Sequence, residues 1–266
     1  MQTRVMHRSI LLTLVLMVAT EGCAPTLDDY RIVDLSHAYS ESTLYWPTSP
    51  SKFILTELAF GETPGGYFYS AYSLCTPEHG GTHLDAPVHF SSTGQSIDAI
   101  PLNRLLAPGV VVDISDQAEA DRNYRLTVDD VLEHERRYGT IAAGTIVLLR
   151  TGWDKHWPDA QAYLGDDTPG DASKLEFPSY GEDAARLLVE DREVAVLGVD
   201  TASIDYGRSS EFFVHRIAAA RNVAGLENLT GLGQLPVTGF TLIALPMKIE
   251  GGSGGPARVV ALVPKN

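Results

Sequence analysis

Three histidines and one carboxylate fall within the eleven positions of His79-Gly-Gly-Thr-His83-Leu-Asp85-Ala-Pro-Val-His89. Imidazole and carboxylate are the common protein ligands of zinc, manganese and iron, and a site with few protein ligands keeps a coordination position free for water. The helical zinc-protease motif is excluded, because Gly80-Gly81 follow His79 where that motif places a Glu. From His83 onward the chain alternates, with His83, Asp85, Pro87 and His89 on one parity and Leu84, Ala86, Val88 and Phe90 on the other. That parity predicts a strand whose polar face carries the ligands and whose apolar face enters the core. The two glycines predict a tight turn before it, and Pro87 predicts a sheet edge or bulge. Any one of these histidines alone reads as an ordinary hydrogen-bonded strand residue; the set reads as a metal site.

In the form His79-x-x-x-His83-x-Asp85-x-x-x-His89, the segment resembles the signature of the cyclase-like metal-dependent hydrolases, which include bacterial kynurenine formamidases and isatin hydrolases. A second element is His215 followed twelve residues later by Glu227, in VHRIAAARNVAGLEN. The opening IVDLSH, the LYWP segment and the closing LPMKIEGGSGGPARVVALV extend the resemblance over roughly residues 31–264. The resemblance implies that His79, His83 and Asp85 hold a first metal. It further implies that Asp85 and Glu227 bridge to a second metal completed by His215, that His89 transfers protons, and that Trp46 lines the substrate pocket. Thr48-Ser49-Pro50 follows Trp46-Pro47 where relatives often carry Gly-Asp, so the pocket there has its own shape. The implied cofactor is Zn2+, as one or two ions, with Mn2+ as the alternative. The implied fold is of the swivelling β/β/α type, and a homo-oligomer is expected on the same ground.

A metal lowers the pKa of its bound water from about 16 toward about 7, and a cation beside a carbonyl stabilises the oxyanion formed on attack. His89 can then carry a proton to the departing nitrogen, since imidazole titrates near neutral pH. The expected function is therefore hydrolysis of an aryl or cyclic amide C–N bond, with N-formylkynurenine as the first substrate expected by resemblance. The alternatives are an isatin-like cyclic amide, a non-catalytic metal- or ligand-binding lipoprotein, and cyclisation or dehydration of an enolisable carbonyl compound. Trp46, Tyr45 and Tyr67-Phe68-Tyr69 suit an aromatic substrate, although aromatics on strands are commonly core.

The elements that position this constellation alternate between strand and helix. Strands are predicted over 32–35, 53–60, 67–75, 110–114, 146–150, 194–199, 240–245 and 259–263. Helices are predicted from the Thr127 cap to about Tyr138, over 182–190 and over 215–221. This pattern is α/β, a mixed sheet with flanking helices, in one hydrolase domain over residues 31–266. Residues 153–179, rich in Gly, Pro and Asp, read either as a functional lid or oligomer contact or as a flexible insertion. His37, His134 and His156 are not expected to be ligands, His134 being placed on the polar side of its helix. Cys75 is expected to be a small buried hydrophobe rather than a nucleophile.

A net charge of −14 without a basic cluster excludes nucleic acid as a partner and favours solubility. Arg4 and Arg8 precede an apolar run over 10–19, too short to span a bilayer, which fits a secretory leader over residues 1–22. Thr20-Glu21-Gly22-Cys23 resembles a bacterial lipoprotein box, with Cys23 as the lipid anchor and residues 23–30 as a short linker. An exported protein, periplasmic or membrane-anchored, is expected. Asn228-Leu-Thr230 matches a glycosylation sequon but carries little weight beside a bacterial-looking leader.

Overall fold

The structure is a computed structural model and describes residues 26–265; the expected leader and Cys23 lie outside the described residues. The strands are β1 (Tyr30–Asp34), β2 (Ile54–Glu62), β3 (Phe68–Cys75), β4 (His83–Asp85), β5 (Leu106–Asp113), β6 (Arg125–Leu126), β7 (Ile146–Arg150), β8 (Ser179–Tyr180), β9 (Val196–Val199), β10 (Ala224–Glu227), β11 (Phe240–Pro246) and β12 (Gly254–Pro264). The α-helices are α1 (Leu102–Leu105), α2 (Ser115–Ala120), α3 (Val128–Tyr138), α4 (Ala160–Leu164), α5 (Glu182–Arg186) and α6 (Phe213–Ala220).

Eight strands form one mixed sheet in the order β1-β12-β11-β5-β7-β9-β10-β4. β4 also pairs with the first residues of β12, so seven strands close into a barrel, while β1 lies along the far half of β12. Neighbours among β5, β7, β9 and β10 run parallel and the remaining pairs antiparallel. Strands covered on both faces must be apolar at every position, and Ile146-Val147-Leu148-Leu149 of β7 are all fully buried. One parity fills the barrel with Leu84, Val111, Ile146, Leu148, Leu226 and Val259. The other packs Val112, Val147, Leu149 and Val199 against α3, α5 and α6.

Helix α3 begins where its cap predicts. Asp130 N–H donates to Thr127 Oγ1 at 3.2 Å and Thr127 N–H donates to Asp130 Oδ2 at 2.9 Å, while Gly139 follows its last residue. His134, expected on the polar side, is instead buried and rests against Tyr138, because the helix packs more than its apolar stripe against the sheet. The two-residue β6 and β8, which pair only with each other, were not expected, nor were β10 and the start of β12. β10 is short and glycine-containing, and β12 starts five residues before 259 through Gly254-Gly255, where residues without side chains conceal the periodicity. Cys75 is exposed rather than buried, because β2 and β3 pair only with each other and project from the barrel. Segment 153–179 is neither bare loop nor flexible insertion: Trp153, Tyr163, Leu164, Leu175 and Phe177 form a small core of their own. Among the described residues no helix is long and apolar enough to cross a membrane.

Candidate metal centre

The turn over Gly80-Gly81 has φ of +149° and +56°, and a Cβ on Gly81 would lie 2.7 Å from the Tyr39 ring. The Tyr39 hydroxyl is shared between the carbonyls of Gly80 (2.6 Å) and Thr82 (2.9 Å), which fixes the approach to β4. The predicted strand ends early. Only His83–Asp85 are paired, and Pro87–His89 form a 3-10 turn, because Pro87 has no N–H for a ladder and its fixed φ suits the first position of a turn. His83 and Asp85 still face the site while Leu84 enters the core, but His89 arrives by a turn rather than by the pleat.

Antiparallel pairing sets the centre of the site. His83 lies opposite Glu227, and Asp85 lies opposite Gly225, whose missing side chain leaves room for the carboxylate. Asp85 Oδ1 lies 2.5 Å from His79 Nδ1 and 3.1 Å from His83 Nε2, and its Oδ2 lies 3.1 Å from His215 Nε2. Glu227 spans the same gap, with Oε2 3.6 Å from His83 Nε2 and Oε1 3.2 Å from His215 Nε2. Both carboxylates therefore face a His83 side and a His215 side.

The outer nitrogen of each ring is occupied, which aims the other one inward. His83 Nδ1 is 2.9 Å from the Gly81 carbonyl. His79 Nε2 is 2.9 Å from Ser253 Oγ, whose hydroxyl donates to Glu78 Oε2 at 2.5 Å. His215 Nδ1 is 2.7 Å from Asp205 Oδ2, and the Asp205 carboxylate also accepts the N–H groups of Val214 and His215 at the start of α6, each at 3.0 Å. Asp205 and Glu78 carry no periodic or motif signal, Ser253 falls in the closing segment of the resemblance with no role implied there, and each reaches its histidine only in the fold.

Burial opposes charge on His83, yet the Asp85 and Glu227 carboxylates and the Gly81 carbonyl raise its pKa to about 9. Burial likewise opposes charge on His215, which Asp205, Asp85 and Glu227 hold well above its ordinary value. Asp85, against its own burial, is kept well below the usual carboxylate range by His83 and His79. Carboxylate charge buried here favours positive charge beside it, which a divalent cation among the same atoms would supply. The donor set fits zinc or manganese: His83, Asp85 and Glu227 converge, and so do His79, Asp85 and His89.

His89 stacks on His79 with ring centroids 3.8 Å apart. Its desolvated ring, surrounded by other imidazoles, is pushed down to about 4 despite the Asp85 charge, so it is neutral at pH 7. The cluster forms the floor of a cavity of about 420 Å³ lined also by Trp46, Phe90, Leu164, Phe212, Ser203 and Asn228. Trp46 stands edge-on to Phe177 and tilted to Phe212. Thr48, Ser49 and Pro50 line the cavity as well. Of the other histidines, His37 stacks on Trp157 at 4.2 Å, and neither His134 nor His156 joins the cluster.

The family model described as "Putative cyclase" matches residues 33–206. The chain is 37 % identical over 209 residues to the isatin hydrolase of Roseibium aggregatum, covering 75 % of this chain and 77 % of that one. It is 28 % identical over 229 residues to the kynurenine formamidase of Salinibacter ruber, covering 86 % and 96 %. It superposes on an isatin hydrolase bound to the product analogue thioisatinate with a TM-score of 0.81 at 32 % identity, covering 90 % and 94 %. The chain belongs to the cyclase family of hydrolases.

Proposed function

We propose that this protein is a metal-dependent hydrolase of a cyclic aryl amide of the isatin type, opening the ring C–N bond. The observation that carries the reading is the cavity wall. Trp46, Phe90 and Phe212 supply aromatic faces, and no Lys or Arg lines the cavity among the described residues. A planar, uncharged lactam needs no more than that. N-formylkynurenine carries an additional amino-acid carboxylate that no Lys or Arg of the cavity would pair, so the arylformamidase expectation ranks second, supported by the Salinibacter ruber relative. The swivelling β/β/α type belongs to this reading and is supported by the mixed barrel with helices on its outer face.

His79, His83, Asp85, His215 and Glu227 would hold one or two ions, Zn2+ or Mn2+. A bound cation supplies a water of lowered pKa and polarises a carbonyl. The chain's own residues do the rest. The aromatic walls hold the ring in place and exclude water, and neutral His89 takes up a proton and returns it to the departing nitrogen. Export, with lipid attachment at Cys23, and a homo-oligomeric assembly are proposed with it; an exported enzyme would meet an environmental compound rather than a product of cytoplasmic tryptophan breakdown. Side-by-side turnover of isatin and N-formylkynurenine tests the reading, and a clear preference for N-formylkynurenine would reverse the order.

A further inference from the structure

Asn228 opens the sequon, yet it is only 4 % exposed and lines the cavity, so the folded chain offers it to no glycosyl donor. Its backbone has φ of +55°, a left-handed conformation that Asn tolerates better than most side-chain-bearing residues. Both backbone groups are tied down: its N–H donates to Thr201 O at 2.9 Å, and its carbonyl accepts from Thr82 Oγ1 at 2.6 Å. The fully buried Tyr163 hydroxyl lies 3.1 Å from Asn228 Oδ1 and 3.1 Å from Asp200 O, which orients the amide plane. The Tyr163 contact engages the amide oxygen, and among the described residues no hydrogen bond engages Nδ2. A rigid neutral donor beside Glu227, in a cavity whose walls are aromatic, is the kind of isolated polar group that orients a small ligand.

We propose that Asn228 is a substrate-binding residue. Its Nδ2 donates a hydrogen bond to the carbonyl oxygen of a small planar amide, and to the carboxylate oxygen that replaces it in the product. This rests on the hydrolase reading above. In the reaction, water adds across the C–N bond as that bond breaks: its oxygen bonds to the carbonyl carbon, one proton goes to the nitrogen, the other is released to solvent as the carboxylic acid ionises, and the Asn228 donor is not consumed. A neutral amide serves both states, since the acceptor oxygen is partially negative before cleavage and ionised after it.

The test uses the full chain reloaded with zinc or manganese, comparing wild type, Asn228→Ala and Asn228→Asp. Bound metal is measured by elemental analysis, thioisatinate affinity by tryptophan fluorescence, and isatin turnover by steady-state kinetics. The expected result is unchanged metal content with thioisatinate bound about tenfold more weakly by Asn228→Ala, the loss of one hydrogen bond to a charged acceptor. Binding by Asn228→Asp should be weaker still, because a carboxylate would face the anion. KM for isatin should rise in both. Should Asn228→Ala fail to fold, the nearly isosteric Asn228→Asp carries the test. Thioisatinate affinity within twofold of wild type in the folded variants would overturn the proposal while leaving the hydrolase reading intact. A wild type that neither hydrolyses isatin nor binds thioisatinate would overturn that reading and this one with it.

Discussion

Asp205 makes three hydrogen bonds at once: it accepts the N–H groups of Val214 and His215 at the head of α6 and holds His215 Nδ1 at 2.7 Å. Asp205→Ala removes a helix-capping acceptor, worth about 1–2 kcal/mol. It also leaves a buried imidazole N–H unpaired, at a cost of about 1–3 kcal/mol. Together these predict about 2–5 kcal/mol lost from the metal-free protein, a fall in Tm of about 4–20 °C for a chain of this size. Because Asp205 also sets which nitrogen of His215 faces the carboxylates, metal affinity should fall about 10–100-fold. Asp205→Asn keeps the shape and one backbone acceptor, so it should recover much of the Tm but little of the affinity. The assays are thermal unfolding of metal-free protein and zinc titration against a chromophoric chelator. Zinc affinity within threefold of wild type in Asp205→Ala would refute the argument that this carboxylate prepares His215 as a ligand.

His89→Ala should retain wild-type metal content and lose about 10²–10⁴-fold in kcat; metal loss in that variant would show that His89 is a ligand beside His79 and Asp85. Glu227→Gln should lower bound metal by about one equivalent, as measured by elemental analysis, if this carboxylate bridges two ions; unchanged stoichiometry contradicts a bridge. His37 titrates near 4 in the fold because burial outweighs the nearby Asp154 charge, against an ordinary 6.5. The unfolded chain therefore holds the extra proton between these values. The contribution to stability is complete above pH 6.5 and is lost as pH falls toward 4. Loss of about 2 kcal/mol through this group is expected in urea unfolding between pH 7 and pH 4.5. His37→Phe, which keeps the stack on Trp157, should flatten that dependence; identical slopes would contradict it.

The candidate cluster was legible because His79, His83, Asp85 and His89 are chemically costly and closely spaced, while His215 and Glu227 were reached only through the family resemblance; the fold brings His79, His83, Asp85, His215 and Glu227 together. Parity alone placed His83, Leu84 and Asp85 correctly, since a buried strand must alternate between site and core. It failed at Pro87, where a missing N–H ends the ladder and a turn delivers His89 instead. The closure of the sheet was not legible, because it depends on β12 pairing β4 through Gly254 and Gly255, residues without a hydrophobic period. Gly254 packs so tightly that a Cβ there would lie 2.5 Å from the His79 ring, a constraint visible only in three dimensions. Asp205 carried no sequence signal and Asn228 only that of a sequon, because each is held by a neighbour distant in sequence, His215 and Tyr163.

The most direct measurement is turnover of isatin and of N-formylkynurenine, side by side, by metal-stripped protein before and after reloading with zinc or manganese. The account predicts no activity without metal, restored hydrolysis with it, and a higher kcat/KM for isatin. Hydrolysis that persists at full rate in thoroughly stripped protein, or tight metal binding with neither compound turned over, would contradict the reading of this site as a metal-dependent amide hydrolase.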